Sequence, residues 1–450
     1  MKNILNTFFL HFIKQFKDIN QKGLKELVKK IMILLLMIIK FPIYLFAFAA
    51  YLLMHLIKPI IIIRVSCIPC INFGDMVAFT ALYIVKKKMK IDQPKKLFVD
   101  LIYLNSKKEV SNTYLLKMWK KQIFIFPSFF LKQLDQIIRL MKSQDSFSIP
   151  LLNYKHEYDV DNLFEKHQSL KFSQTEQETG LVNLKKFGLH PDDKFVCLSV
   201  RDSAYNQKIK FSNSEKNFME GNIYHNKFRD FKIKNFKEAA EALANRGYYV
   251  FRMGAKVKEK LKSNNKKIID YANSNLRSEF MDIFLGAKCN FCISTGHGFD
   301  MLPYVFNKPI GIMSVPVGDL RSHSKRFLLL TRKHYSLNKK KNLSLLEIFN
   351  SKVGFAYKQE IFEKEGIDLI DYTPEEIKNF SLELCDYYEN KKELSMEEVE
   401  LQKKFKNNFF NLINQDNYQS QIDKPYNKIQ DKIRSNFFGE FLIKNKEWLD

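Results

Sequence analysis

The sequence predicts an α/β fold: two facing Rossmann-like β/α domains, an N-terminal hydrophobic helical segment before them and C-terminal helices after them. Three observations lead there. Short β-branched runs, Ile60-Ile61-Ile62-Ile63-Arg64-Val65 and Phe195-Val196-Cys197-Leu198-Ser199-Val200, read as strands buried on both faces. Helical patterns alternate with such runs over most of the chain, as a parallel, doubly wound sheet requires. A chain of 450 residues exceeds one ordinary core, and 46% hydrophobic and 14% aromatic content argues for a folded protein.

The first segment, 1–58, is amphipathic and then strongly apolar. Leu5, Phe8, Phe9, Phe12, Ile13 and Phe16 recur at helical spacing among lysines, and Ile31–Ile39 and Phe41–Ile57 follow, parted by Lys40 and Pro42. It is too long, and sits too far in, for a secretory signal. It is long enough to span a bilayer; a broken helix pair in the interface is the alternative, which Lys40 and the Pro42 break favour. Lys58-Pro59 leads straight into the first strand, so the globular part is expected against the membrane surface.

The first β/α domain covers 59–165. Its opening strand runs into Asn72-Phe73-Gly74-Asp75-Met76 and a helix. Asp75 reads either as a helix N-cap or as a carboxylate at the strand's carboxyl edge, facing the inter-domain cleft. A second strand is expected over 97–103, a helix over 112–121, a strand over 122–126 and a helix over 129–142. Residues 166–193, polar and holding Gly180, Gly188 and Pro191, read as a linker. The second β/α domain covers 194–355: strand 195–200, helix 235–246 closed by Gly247, strand 248–254, strand 268–271, helix 278–288 and strand 291–294. From 356 to 450 the pattern is helical. Thr373-Pro374-Glu375-Glu376 and Ser395-Met396-Glu397-Glu398 are N-terminal cap signatures, and 434–449 reads as a last helix packing back on the domains.

The formal charge of +24 comes mostly from dispersed lysine, with no nucleic-acid-binding motif, and is better matched to an anionic membrane face than to nucleic acid. Cys67/Cys70 and Cys289/Cys292 form two C-x-x-C pairs too far apart for a zinc ribbon, so the thiols are expected to be structural, in a reducing compartment. His156, Glu157 and Asp159 lack clear ligand geometry and read as solvated surface. The sequence has no Walker-type glycine loop and no G-x-G-x-x-G opening a first βαβ unit, which disfavours P-loop NTPases and dinucleotide dehydrogenases.

The candidate site gathers at strand carboxyl ends of the second domain. Arg201 follows its first strand, Arg252 and Gly254 its second, and Ser294-Thr295-Gly296-His297-Gly298 a later one. Arginines there would neutralise a diphosphate without a metal, and the glycine–hydroxyl turn would offer free backbone N–H groups to phosphate. Salt bridges to surface carboxylates are the plainer role for the arginines. His297 would touch phosphate or base, or serve only to hold an unusual backbone angle. His225 and Arg229 fall on a loop able to reach a substrate. Two such domains suit a nucleotide-sugar ligand, with no cofactor and no metal.

These stretches together resemble a bacterial family of glycosyltransferases of surface-polysaccharide synthesis. The similarity lies in Ile61-Ile62-Ile63-Arg64, Asn72-Phe73-Gly74-Asp75, Val196–Tyr205, Gly247–Gly254, Phe280–Leu285 and the Ser294–Gly298 turn, and covers roughly 58–320. The Gly74-Asp75 loop is also similar to that of ADP-heptose transferases, although CIPCINFGD is longer here. The resemblance implies a GT-B fold and metal-independent, inverting transfer from a nucleotide sugar to an envelope or lipid-linked glycan at the cytoplasmic face of the inner membrane. Asp75 would be the base, and Arg201, Tyr205, Arg252, Gly254 and Ser294–Gly298 would hold the donor. A non-hydrolysing sugar-nucleotide epimerase and a non-catalytic membrane scaffold are the rival readings.

Overall fold

The structure is a computed structural model that describes residues 24–106, 109–149, 160–204, 227–320, 323–415 and 433–450. Tyr205, His225 and the His156, Glu157, Asp159 group lie outside them. The chain divides into two compact units.

The first unit comprises residues up to Ile68, Pro94–Asn105 and Phe124–Pro150. Helix α1, Leu24–Ile57, runs without interruption through Pro42, so the expected break is absent. Proline lacks an amide donor and removes one helical hydrogen bond, which a helix this long tolerates. Among the described residues no helix is long and apolar enough to cross a membrane. Strands β1 (Ile61–Ile68), β2 (Leu97–Leu104) and β3 (Ile125–Phe126) form a parallel sheet in the order β1-β2-β3. Arg64 lies opposite Asp100 in this sheet, and the two buried side chains pair at 2.8 Å. The strand expected over 122–126 shrinks to two residues, because Gln122 and Ile123 close the preceding turn onto Trp119. Ala47, Tyr51 and Met54, at helical spacing on α1, pack with Val65, Leu131, Leu134, Ile138 and Phe147 into this unit's core.

The second unit holds the rest, including two segments that leave the β1–β3 region in sequence. These are helix α2, Phe73–Met89, and helix α3, Thr113–Lys120. The segment expected to be a linker contains helix α4, Gln174–Lys186, started by a capping box in which Ser173 and Glu176 bond each other's backbone N–H.

The unit's centre is a seven-stranded, all-parallel sheet. Its strands in chain order are β4 (Phe195–Ser199), β5 (Tyr249–Arg252), β6 (Ile268–Ile269), β7 (Cys292–Ser294), β8 (Ile310–Met313), β9 (Phe327–Leu330) and, far downstream, Asn436–Phe437. The spatial order is Asn436–Phe437, then β9-β8-β7-β4-β5-β6, as expected for a doubly wound sheet. Central strands β4, β7 and β8 are wholly buried, which explains their near-continuous apolar sequence. Cys197 and Cys292 sit opposite each other on β4 and β7; with Cys289 they are fully buried, and burial pushes the Cys197 and Cys292 thiols up.

The helices agree with their cap signals. Helix α5, Lys237–Asn245, ends before Gly247, whose φ is +95°. Helix α6, Glu279–Lys288, is capped by Ser278. Helix α7, Pro374–Tyr388, carries the full Thr373/Glu376 capping box. The segment 434–449 is not one helix. Residues 436–437 join the sheet edge beside β9, and a short helix over 439–444 and a 3₁₀ turn follow. Its phenylalanines at helical spacing pack with Phe405 and Trp448 all the same, so the apolar pattern reports burial and not helix.

Candidate functional site

A cavity of about 490 Å³ opens beside the carboxyl ends of β4, β5 and β7, and all its lining residues belong to the second unit. That is where the sequence placed ligand-binding loops. Asp75, Arg201, Arg229, Gly254, His297 and Gly298 line it. Arg252, Ser294, Thr295 and Gly296 do not.

Helix α2 brings Asp75 to this cavity. Its first turn lies against the turn after β7 so closely that a methyl group on Gly74 would stand 2.6 Å from the Gly298 Cα. One on Gly298 would stand 2.8 Å from the Gly74 nitrogen. Only two glycines allow this approach. Phe73 and Phe299, the neighbours of these glycines, stack with ring centroids 6.5 Å apart, and both line the cavity. Asp75 is not the N-cap. Asn72 occupies that position without a side-chain cap bond, and its amide donates to Asp75 Oδ2 at 3.1 Å. Asp75 sits in the first turn, where the helix dipole favours a carboxylate.

The turn after β7 is not the source of free amides that its sequence suggested. Gly296 N donates to Ser294 Oγ at 3.1 Å, His297 N to Asp300 Oδ2 at 3.0 Å and Phe299 N to His297 Nδ1. Ser294 Oγ donates to Asp300 Oδ2 at 2.9 Å, and Thr295 Oγ1 accepts from the Arg201 amide at 2.8 Å. Ser294, Thr295 and the buried Asp300 thus hold the turn from beneath. Gly296, not His297, takes the left-handed conformation, with φ of +73°, while His297 is extended. The His297 ring therefore has a different task. With Nδ1 accepting from Phe299 N, its proton belongs on Nε2, which lies 2.7 Å from Ser199 Oγ. Desolvation pushes its pKa down to about 4, against the pull of Asp300, so the ring is neutral at pH 7.

The cations in the cavity lining are Arg201, Arg229, Lys256 and Arg277. Desolvation, then the neighbouring Arg229 charge, lowers the Arg201 pKa to about 10, with Asp230 at 3.4 Å only partly offsetting both. Arg229 is held by a 2.6 Å bond to Gly296 O. Two guanidinium groups destabilising each other at a cavity wall is an arrangement that an anion relieves. The carboxylates differ in how far they are engaged. Asp202 accepts from the amides of Ala204 and Lys258, at 2.9 and 2.8 Å. Asp282 takes Arg277 at 2.6 Å and the Tyr271 hydroxyl at 3.0 Å, and burial raises its pKa to about 6. Asp75 is the cavity carboxylate with the lightest engagement, an amide donor from Asn72.

Arg252 is fully buried under the cavity. It donates to Asp270 at 3.1 Å, with Asp202 at 3.9 Å. Asp270 also accepts from Leu261 N and Asn273 Nδ2. Arg252 thereby ties the β5 end to its loop, the structural role that a strand-end arginine can always take. The sequence reading missed Asn72, Phe73, Phe299, Lys256, Arg277 and Asp282. Of these only Asn72, Phe73 and Phe299, in or beside the two turns already singled out, had a usable signal.

No family model matches the chain, and no curated protein matches it. Among solved structures it is similar to a glycosyl transferase family 9 protein from Veillonella parvula DSM 2008, at 10% identity and a TM-score of 0.37, covering 71% of this chain and 96% of that one. It is also similar to the E. coli ADP-heptose lps heptosyltransferase II, at 12% identity and a TM-score of 0.37, covering 73% of this chain and 100% of that one.

Proposed function

We propose that the chain is a membrane-associated glycosyltransferase of the GT-B type, moving a sugar from a nucleotide-sugar donor to an envelope or lipid-linked glycan. The observation that carries this reading is that two kinds of group line one cavity. The crowded guanidinium pair Arg201 and Arg229 and the lightly engaged carboxylate Asp75 all belong to its lining. The first suits a diphosphate leaving group. The second suits a general base, because a carboxylate with a free lone pair can accept the proton of an acceptor hydroxyl.

In this reading Asp75 takes that proton as the acceptor oxygen bonds to the anomeric carbon. The bond from that carbon to the diphosphate oxygen breaks, the electron pair leaves with the nucleoside diphosphate, and the configuration inverts. Arg201 and Arg229 neutralise the departing charge, the work a metal does in other transferases. Neutral His297 donates to Ser199 and keeps the β7 turn in register, and the stacked rings of Phe73 and Phe299 offer an apolar edge to base or sugar. The apolar helix α1 and the excess of lysine support attachment at the cytoplasmic face of the inner membrane.

Calorimetric titration with UDP, GDP, ADP and CDP tests the donor half. One of them should bind, and Arg201→Gln should weaken it about 10- to 100-fold, the worth of a charge-assisted hydrogen bond. Absence of binding by all four sinks the reading. Asp75→Asn should keep that affinity and abolish transfer, and surviving transfer would remove Asp75 as the base. Product formation from a sugar nucleotide alone would favour an epimerase.

A further inference from the structure

The outer face of α1 is apolar although its inner face is already buried. Toward the end of the helix, Ala47, Tyr51 and Met54 sit in the core of the first unit. On the other side Leu45, Phe46, Leu52, Leu53 and Leu56 are exposed, Phe46 at 70% and Leu56 at 76%. A surface helix of a soluble domain places polar residues there. The helix Ser128–Leu140, which follows β3, runs alongside α1 in the same direction. Tyr44 bonds Gln136, Tyr51 contacts Ser143 and Lys58 contacts Ser146. Its end adds Leu140 and Met141, exposed at 77% and 50%, near the level of Tyr51. Exposed Lys132, Arg139 and Lys142 accompany them.

Charge says which occupant fits. Segments 24–68, 94–105 and 124–149 of this unit carry eleven lysines and arginines against four acidic residues. Two of those four, Asp100 and Asp135, are buried in pairs with Arg64 and Arg139. A second copy of this surface would repel it; an anionic lipid headgroup layer attracts it.

Length says how deep the helix goes. From about Tyr44 onward α1 is held against the unit, so that part cannot cross a bilayer. The apolar part before it, residues 31–43, extends about 20 Å at 1.5 Å per residue. That falls short of the roughly 30 Å hydrocarbon core.

We infer that α1 is a one-leaflet anchor: its exposed Leu45/Phe46/Leu52/Leu53/Leu56 face, with Leu140 and Met141, inserts into the near leaflet of an anionic bilayer and does not span it. The inference rests on the membrane attachment in the proposed function and specifies its mode.

Flotation of the full chain with sealed vesicles, of phosphatidylcholine alone or with 30% phosphatidylglycerol, tests it. The chain should float with the anionic vesicles and much less with the neutral ones. Leu52→Glu and Leu56→Glu, both at exposed positions, should each lower partitioning about tenfold while leaving nucleoside diphosphate affinity unchanged. Equal partitioning of both variants and the parent would overturn the face assignment. In bound, sealed vesicles an epitope tag at the amino end should be digested by external protease. A protected tag means that the helix spans, and the one-leaflet mode fails while attachment stands. No flotation with either lipid overturns attachment itself, as does a doubled mass in sedimentation without lipid binding, which would assign the face to a second copy.

Discussion

Replacing Gly298 by alanine sets two physical effects against each other, and the structure decides the sign. Gly298 does not have a positive φ. At such a position Gly→Ala ordinarily stabilises by about 0.4–1 kcal/mol, because the unfolded chain has less freedom to lose. Here the new methyl would stand 2.8 Å from Gly74 N and 3.2 Å from its Cα. Both atoms are backbone, so no side chain can swing aside, and the α2 start and the β7 turn must move apart by several tenths of an ångström. Forcing extra methyl groups into a packed contact costs about 1–3 kcal/mol, which exceeds the entropic gain. Gly74→Ala gives the same test from the other side: alanine in a helix gains up to about 1 kcal/mol, yet its methyl would lie 2.6 Å from Gly298 Cα. Urea unfolding should show both variants less stable than the parent by roughly 0.5–2 kcal/mol. The double variant should lose less than the sum or more than the sum, not the sum itself, because the two methyls share one contact. Calorimetry should show nucleoside diphosphate affinity falling with them, since the same contact places Phe73, Asp75 and Phe299. A Gly298→Ala protein as stable as the parent would refute the close approach, and with it the placing of Asp75 at this cavity.

Three further outcomes follow from packing and charge. Gly180→Ala should destabilise by about 1–3 kcal/mol in urea, because its methyl would meet the Phe284 ring at 2.1 Å although alanine is the better helix former. Arg252→Met should cost about 3–5 kcal/mol of stability, since it leaves Asp270 without its buried guanidinium partner, while the affinity of the folded protein for nucleoside diphosphate changes little. Stability should fall as pH drops from about 7 to 5. Burial lowers the His297 and His334 pKa values to about 4, so the unfolded chain binds protons that the folded rings refuse, and each ring costs about 1–2 kcal/mol over that interval. Asp282, raised to about 6, binds its proton in the folded state first and offsets about one of the two. Urea midpoints across this range check the slope, which His334→Phe should reduce.

Much of the fold was legible because a parallel strand buried on both faces has to be written as a continuous apolar run. That holds for 61–68, 195–199, 249–252 and 292–294. Caps were legible for a similar reason: a Ser or Thr with Glu three residues on answers the unsatisfied amides of a helix start locally, as at Thr373. The edge strand 436–437 was not legible. Two residues carry no periodicity, and the phenylalanines around them pack at a spacing that imitates a helix. Nor does sequence say on which side of a strand end an arginine lies. Arg201 lies two residues past the end of β4, whereas Arg252 is the last residue of β5, level with Leu198; the first lines the cavity and the second is buried and held by Asp270. The carboxylate that distinguishes them is eighteen residues downstream of Arg252. The lining residues Lys256, Arg277 and Asp282 escaped for a similar reason: they come from the loop after β5, the loop before α6 and the first turn of α6, and only the fold brings them together.

The Ser294–Gly298 turn shows what such convergence does to a motif. Its small and hydroxyl-bearing residues suggested a cradle for phosphate. In the fold their hydrogen bonds run to one another and to Asp300, which a ligand-binding amide row would leave open. What the turn offers outward is a carbonyl, Gly296 O, that fixes Arg229, and a bare glycine, Gly298, that admits α2. Each of these sets a charged group at the cavity, Arg229 and Asp75. A rigid turn is the better support for both, since in the proposed transfer a carboxylate displaced by an ångström would no longer reach the proton it has to accept. Ser294, Thr295 and Gly296, which looked like part of the site, are therefore the frame beneath the cavity, whose charged lining includes side chains delivered from α2 and from the segment before α5.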